Sequence, residues 1–304
     1  MERLIKIFIF GGLSKLIAEL ILYESNAQIN KHPIILGLAT GLGMFLSLIP
    51  YIILKKRSKS KNKNKNKIIG KKSLIYNDPD YVYNKKKRYI KYSLILLSSV
   101  LDYFQKILSF LFTGNVNNNI WIFNILFLSL FSYLILKEKL YSYHYLSLII
   151  IIVLGIIINI INLYDVKLKD IKYELLSIFI EIIYSLVAVI NKYVMEVSIT
   201  SPYELSFYEG SFSLVINIIL LIICTKYEVE IKFIPNEKII YKDKKYLDNF
   251  FAYYNKLNVS ECIIFFIFVL SRLLFNLFGL ITINNYTASH IVILLIIGEI
   301  GFFF

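Results

Sequence analysis

Residues 121–162 read Trp121-Ile-Phe-Asn-Ile-Leu-Phe-Leu-Ser-Leu-Phe-Ser-Tyr-Leu-Ile-Leu136, then Lys137-Glu138-Lys139-Leu140, then a second apolar run from Tyr143 to Asn162. Each run approaches the ~20 residues that a helix rising ~1.5 Å per residue needs to cross a hydrocarbon core ~30 Å thick. The charged step between them cannot lie in lipid, where unpaired backbone groups and adjacent charges each cost several kcal/mol. The stretch therefore predicts a transmembrane helical hairpin with its turn at a headgroup surface.

The whole chain has the same character. Its 304 residues are 57% hydrophobic with a mean hydropathy of +0.64, and only 18% are charged, whereas a soluble domain is nearer a quarter charged. With 12 Gly and 5 Pro as punctuation, no soluble segment is long enough to bury a core of its own. We expect one polytopic, all-α membrane domain over 1–304.

Apolar segments place helices at Leu4–Tyr23, His32 to about Leu54, Tyr92–Phe112, the two runs of the hairpin, Tyr173–Tyr193, Glu204–Cys224, Ser260–Ile281 and from about Ala288 onward. Several carry ionisable residues inside the span, where charge is costly and usually marks a pathway or a pair. Lys15 and Glu19, four apart, share a face of the first helix; they either lock it to a neighbour or serve a substrate or proton. Asp102 and Lys106 repeat that spacing in the third helix, with the same two possibilities. Glu181 lies mid-span in the sixth, and Glu209 falls in the first turns of the seventh. Arg272, at the centre of the eighth helix, has no carboxylate three or four residues away on its own helix. Its partner is an acid on another helix (Glu181, Asp102 or Glu299) or an anionic ligand. We take Arg272, Asp102, Lys106, Glu181, Lys15 and Glu19 as candidate substrate-binding residues. Gly37, Gly41 and Gly43 give the second helix a face that admits another backbone.

Between Lys55 and Lys91 lie fifteen Lys or Arg and two acids, a balance equal to the +13 of the entire protein. Its low-complexity core, Ser58–Lys67, has the composition of a solvated, disordered linker rather than of a folded nucleic-acid-binding face. Such a loop is expected on the cytoplasmic side, against anionic lipid. That puts the amino terminus and the turns at Lys137, Lys192 and Asn284-Asn285 on the same side. The 225–259 loop, where seven Lys meet five acids, falls on the other.

The second half repeats the layout of the first. An offset of 170 places Asp102 over Arg272 and Asn115 over Asn285, and an offset of 169 places Pro33 over Pro202. Helices one to five (1–163) then correspond to six to nine (173–304), with a tenth missing, so a truncated chain is expected. Five being odd, the halves must insert upside down to each other, as in many secondary transporters.

Other chemistries find no motif. His32, His144 and His290 are dispersed without metal-ligand spacing, and no phosphate-binding Walker sequence is present. No cofactor and no enzymatic activity are expected. Cys224 and Cys262 end one helix and begin the next; they either bridge the long loop in an oxidising lumen or serve as apolar helix ends. Asn258-Val259-Ser260 is a formal glycosylation sequon abutting the eighth helix.

The run from Asn124 to Leu140 with His144 and Gly155 resembles the fourth and fifth helices of the drug/metabolite transporter superfamily. Asp102, His32-Pro33 and Ser201-Pro-Tyr-Glu-Leu-Ser-Phe-Tyr-Glu-Gly210 look like its eukaryotic branch, solute carrier family 35. The resemblance implies ten helices in two inverted halves around a central cavity, alternating access, and both termini cytoplasmic. It implies a small-molecule cargo, a nucleotide sugar or another anionic metabolite, crossing a Golgi, endoplasmic-reticulum or vacuolar-type membrane, with lipid as the other partner and a homodimer left open. The alternative is a scaffold, receptor or degenerate relative that keeps the fold without transporting; a membrane enzyme comes third.

Overall fold

The structure, a computed structural model, describes residues 2–23, 32–56, 85–112, 121–137, 171–198, 200–227, 248, 250–255 and 257–286, with isolated helical positions between 146 and 157. In chain order the helices are α1 (Glu2–Tyr23), α2 (Pro33–Phe45), α3 (Lys85–Phe112), α4 (Trp121–Phe131), α5 (Ile171–Ser198), α6 (Pro202–Tyr227), the short α7 (Phe250–Tyr254) and α8 (Val259–Asn285). No strand occurs among the described residues. The second run of the hairpin is described only at isolated positions. The expected ninth helix, the Ser58–Lys67 core and the rest of the Lys137 turn lie outside the described residues.

Seven expected helices are found, with ends that differ for local reasons. α3 starts at Lys85, inside what the charge run suggests is loop, because no Pro or Gly interrupts 85–112 and Lys and Arg are good helix formers. α2 begins with Pro at its first turn, where the missing N–H costs nothing, and after a turn at Leu46 the helical path continues to Lys56. α4 passes into a π-helical turn, Ser132–Leu136, which Lys137 stops with a left-handed φ of 55°. α7, within the long loop, is a helix that the sequence pattern does not announce.

Among the described residues, four helical stretches are long and apolar enough to cross a membrane: Pro33–Lys56, Leu175–Glu196, Pro202–Tyr227 and Val259–Asn285. α1 and α3 are comparably long and carry ion pairs instead. The outer faces of the bundle are apolar, and its interior holds polar as well as apolar side chains. Val215, Ile218, Ile219 and Ile222 point outward on α6, and Ile263, Phe266 and Ile267 do so on α8, while Ser98, Asn191, Ser206, Glu209, Ser213 and Asn217 are buried. Apolar outer faces, with the polar side chains kept inside, are what lipid as solvent requires, and the chain is a helical membrane protein.

α2 and α6 make the most extensive contact; α1 packs on α8 as α3 packs on α5, α2 on α8 as α3 on α6, and α2 on α3 as α6 on α8. The glycines explain the α2–α6 seam. A Cβ at Gly41 would lie 3.2 Å from Leu214 N, one at Gly210 would lie 2.3 Å from Phe45 N, and one at Gly43 would lie 2.6 Å from Val269 O on α8. Small residues let the backbones meet, since between helices in lipid it is close packing rather than water exclusion that holds them. Two apolar clusters flank the seam: Ala18, Leu36, Ala39, Phe268 and Val269 among α1, α2 and α8, and a larger one around Leu128, Val189, Val194, Leu205 and Ile283.

Polar contacts close the bundle ends. Asp248, from the long loop, accepts backbone N–H bonds from Ile34 (2.5 Å) and Ile35 (3.3 Å) at the start of α2, and its other oxygen is 3.0 Å from His32 Nδ1. A carboxylate there complements the helix dipole and caps orphan donors. At the opposite end of the chain's winding, Lys192 donates to the carbonyl of Tyr286 (2.5 Å) beyond the last turn of α8. Cys224 and Cys262 are free thiols, and the Asn258 side chain accepts from Glu261 N (2.8 Å) to cap α8.

Candidate functional site

A cavity with an empty volume of about 580 Å³, counting its open side, lies among α2, α3, α5, α6 and α8. Among the described residues, two acids and two bases line it, Asp102 and Lys106 from α3, Glu209 from α6 and Arg272 from α8. Asn191, Asn276 and the Tyr184 ring add polar atoms, and Val187, Phe275 and Leu280 give apolar wall. The position of each charge follows from its helix: Arg272 sits midway along Val259–Asn285, and Glu209 lies about two turns into α6, beside the glycine that brings α6 onto α2.

The Asp102–Lys106 pair expected from its spacing forms, with Lys106 Nζ donating to Asp102 Oδ2 at 2.6 Å and also touching Met44 Sδ at 3.0 Å. The Glu209 carboxylate, 2% exposed, accepts at Oε1 from Asn191 Nδ2 (2.8 Å) and Ser98 Oγ (3.1 Å), while Ser98 also donates to Asn191 Oδ1. Oε2 receives neither of these bonds. The Arg272 guanidinium stacks over the Phe268 ring at 5.0 Å and lies within electrostatic reach of Glu19 and Asp102. Asp102 is within reach of Glu209 as well, so the α3 pair sits in the field of both other charges.

The six candidate residues therefore divide. Arg272, Asp102 and Lys106 meet in the cavity. Glu181 does not line it; its carboxylate accepts from Asn124 Nδ2 (2.9 Å), and Ser185 Oγ donates to Asn124 Oδ1 (2.9 Å), tying α4 to α5. Lys15 and Glu19 form the expected pair at 3.1 Å on α1, outside the cavity lining, although Glu19 acts on Arg272 from there.

Glu209, Asn191 and Ser98 are missing from the sequence-based candidates. Glu209 reads as a charge near a helix start, a place where acids are ordinary. The available signal is its neighbour: Gly210 makes the tightest backbone approach of the seam, so the residue beside it faces the interior. Neither the family models nor the curated proteins compared with the chain match it.

Proposed function

We propose that the chain is a secondary transporter or exchanger that moves a small polar solute carrying an anionic group across an intracellular membrane by alternating access. The observation that carries this is the cavity, where Asp102, Lys106, Glu209 and Arg272 converge inside a bundle whose outer faces are apolar. Placing four ionisable groups inside the bundle, with Asp102 and Glu209 buried and Lys106 and Arg272 half-buried, is expensive in a bundle that needs only to hold itself together. Arg272 is the anion-binding group, because guanidinium stays charged when buried and its planar fork suits a carboxylate or phosphate.

The same reading includes ten helices in two inverted halves, with α1, α2 and α3 equivalent to α5, α6 and α8. The neighbour pairs support it, since exchanging those labels turns α1–α8 into α5–α3, α2–α8 into α6–α3, and α2–α3 into α6–α8. The seam supports it at residue level. Gly41 approaches Leu214 and Gly210 approaches Phe45; both 41 and 210, and 45 and 214, are 169 apart, the offset that places Pro33 over Pro202. Contacts that return under exchange are the signature of a two-fold relation.

Counterflow in proteoliposomes loaded with a panel of monoanionic, zwitterionic, cationic and nucleotide-linked solutes tests the proposal. Saturable exchange of at least one class is expected, with apparent affinity for the anionic solute falling about tenfold or more in Arg272→Gln. Absence of exchange across the panel with correctly inserted protein would leave the non-transporting alternative; unchanged affinity in Arg272→Gln removes Arg272 as the anion site.

A further inference from the structure

Resting on the transport reading and naming what couples to it, we propose that Glu209 is a proton-binding site: its carboxyl holds a proton in a closed ring with Ser98 and Asn191, and release of that proton opens the ring that ties α3, α5 and α6 together. The argument is a count of hydrogens. Asn191 Nδ2 lies 2.8 Å from Glu209 Oε1, Ser98 Oγ lies 3.1 Å from the same oxygen, and Ser98 Oγ is also within hydrogen-bond reach of Asn191 Oδ1. The amide nitrogen supplies the hydrogen for the first contact. The other two join oxygen to oxygen, and the Ser98 hydroxyl has one hydrogen to give. With Glu209 ionised, one of those contacts holds no hydrogen, and two oxygens oppose each other among residues at most 4% exposed. Turning the amide over does not help, because it sets Asn191 Oδ1 against the carboxylate. With a proton on Oε1, Glu209 donates to Ser98, Ser98 donates to Asn191 Oδ1, and Asn191 Nδ2 donates back to Glu209. Three contacts then hold three hydrogens, in a closed chain whose members polarise one another.

Glu209 lines the cavity, so its proton can pass to and from water or solute that enters there. The ionisable groups around it come from the helices packed on α6. On α3 are Asp102 and Lys106, joined at 2.6 Å, and Lys91, which meets Glu204 of α6 itself at 3.4 Å. α8 brings Arg272 and α5 brings the Tyr184 phenol to the same lining, while Lys192 of α5 turns to Glu196 (2.9 Å) and to the Tyr286 carbonyl. α2 carries no ionisable residue between Pro33 and Phe45, and α7 meets α6 at Thr225, about four turns from Glu209. Asp102 and Lys106 both act on Glu209. Ionising it therefore sets a second carboxylate against Asp102 and draws on Lys106, so loss of one proton alters the α3 pair as well as the ring. The change is felt on three helices at once, which is what coupling a proton to a rearrangement of the bundle requires.

Infrared difference spectra of the full chain in detergent, taken between about pH 5 and about pH 9, read the proton without any solute. The expected result is the carbonyl band of a protonated carboxyl that is missing from Glu209→Gln and displaced in Ser98→Ala, where the acid loses the oxygen it donates to. Ser98→Ala keeps the carboxyl, so the displacement decides the matter even where Glu209→Gln fails to fold. Absence of such a band, or a band that Ser98→Ala leaves in place, overturns the proposal. Proteoliposomes carrying a pH-sensitive dye, with the membrane potential clamped, are then given L-lactate, L-leucine, choline or uridine diphosphate glucose, one from each class of the counterflow panel. One pH unit across the membrane should drive about tenfold accumulation of the exchanged solute if one proton moves with each, and Glu209→Gln should lose that accumulation. Exchange that moves no proton overturns the coupling. A titrating Glu209 with exchange of none of the four sinks the transport reading and upholds the proton site.

Discussion

Two ion pairs with one spacing behave differently. Lys15–Glu19 on α1 and Lys106–Asp102 on α3 are both four residues apart and both close, at 3.1 and 2.6 Å. The first lies outside the cavity lining and the second within it. Spacing on one helix decides that two charges meet, since residues four apart are neighbours on its surface. What the pair is for depends on what the helix faces, and that is a property of the bundle.

The strongest way to break this contrast is to remove one partner and then both. Asp102→Asn strands Lys106 in the interior and should cost about 3–5 kcal/mol, seen as loss of folded protein by size-exclusion chromatography after extraction. The double change Asp102→Asn with Lys106→Met should recover folding and still bind solute poorly. Lys15→Met with Glu19→Leu should recover folding and weaken binding less than the α3 double variant, because Glu19 reaches the cavity only through its field on Arg272. Normal binding in the α3 double variant would erase the distinction between the pairs.

The contrast also requires the seam that presents α3 and α6 to the cavity. Gly210→Ala drives a methyl to within 2.3 Å of Phe45 N, backbone that cannot swing aside, and should cost about 1–3 kcal/mol in thermal unfolding. Gly37→Ala meets only the Asn217 side chain and should cost less. A reversed order would mean that the seam relaxes.

Asp248 is another buried carboxylate, which accepts backbone N–H bonds at the start of α2 and lies beside His32. Asp248→Asn keeps the shape and weakens the cap on α2, so a loss of about 1 kcal/mol is expected in the same assay, well below that of Asp102→Asn. A loss as large as that of Asp102→Asn would make the loop-to-α2 contact as important as the cavity pair.

The smallest effect is expected at Tyr253. Its ring packs edge-on against His32 at 5.1 Å, and its buried hydroxyl has no hydrogen-bond partner among the described residues. Tyr253→Phe should leave stability at neutral pH unchanged or raise it by up to about 1 kcal/mol. Burial pushes the phenol up to about 12, against about 10 in an unfolded chain, so the folded state holds the proton more tightly. The wild type should therefore lose stability as pH rises from about 10 to about 12, and the variant should lack that component. Identical alkaline profiles would show that Tyr253 ionises freely.

Local rules carried the reading of this chain a long way. The apolar runs determined seven helices, because hydropathy and length are sums over neighbouring residues. They also placed both i,i+4 pairs, picked Gly37, Gly41 and Gly43 as contact positions, and marked Arg272 as a charge needing an answer from elsewhere. Only the tertiary structure decided which charges share a cavity. It drew Glu181 away to Asn124, 57 residues distant in the chain, joined Glu209 to Ser98 at a separation of 111, and set Asp248 on the start of α2, 214 residues from Ile34. A helical period states which face a residue occupies, not which helix that face meets; that is set by where glycines and alanines let backbones close, a choice made only when all the helices pack at once.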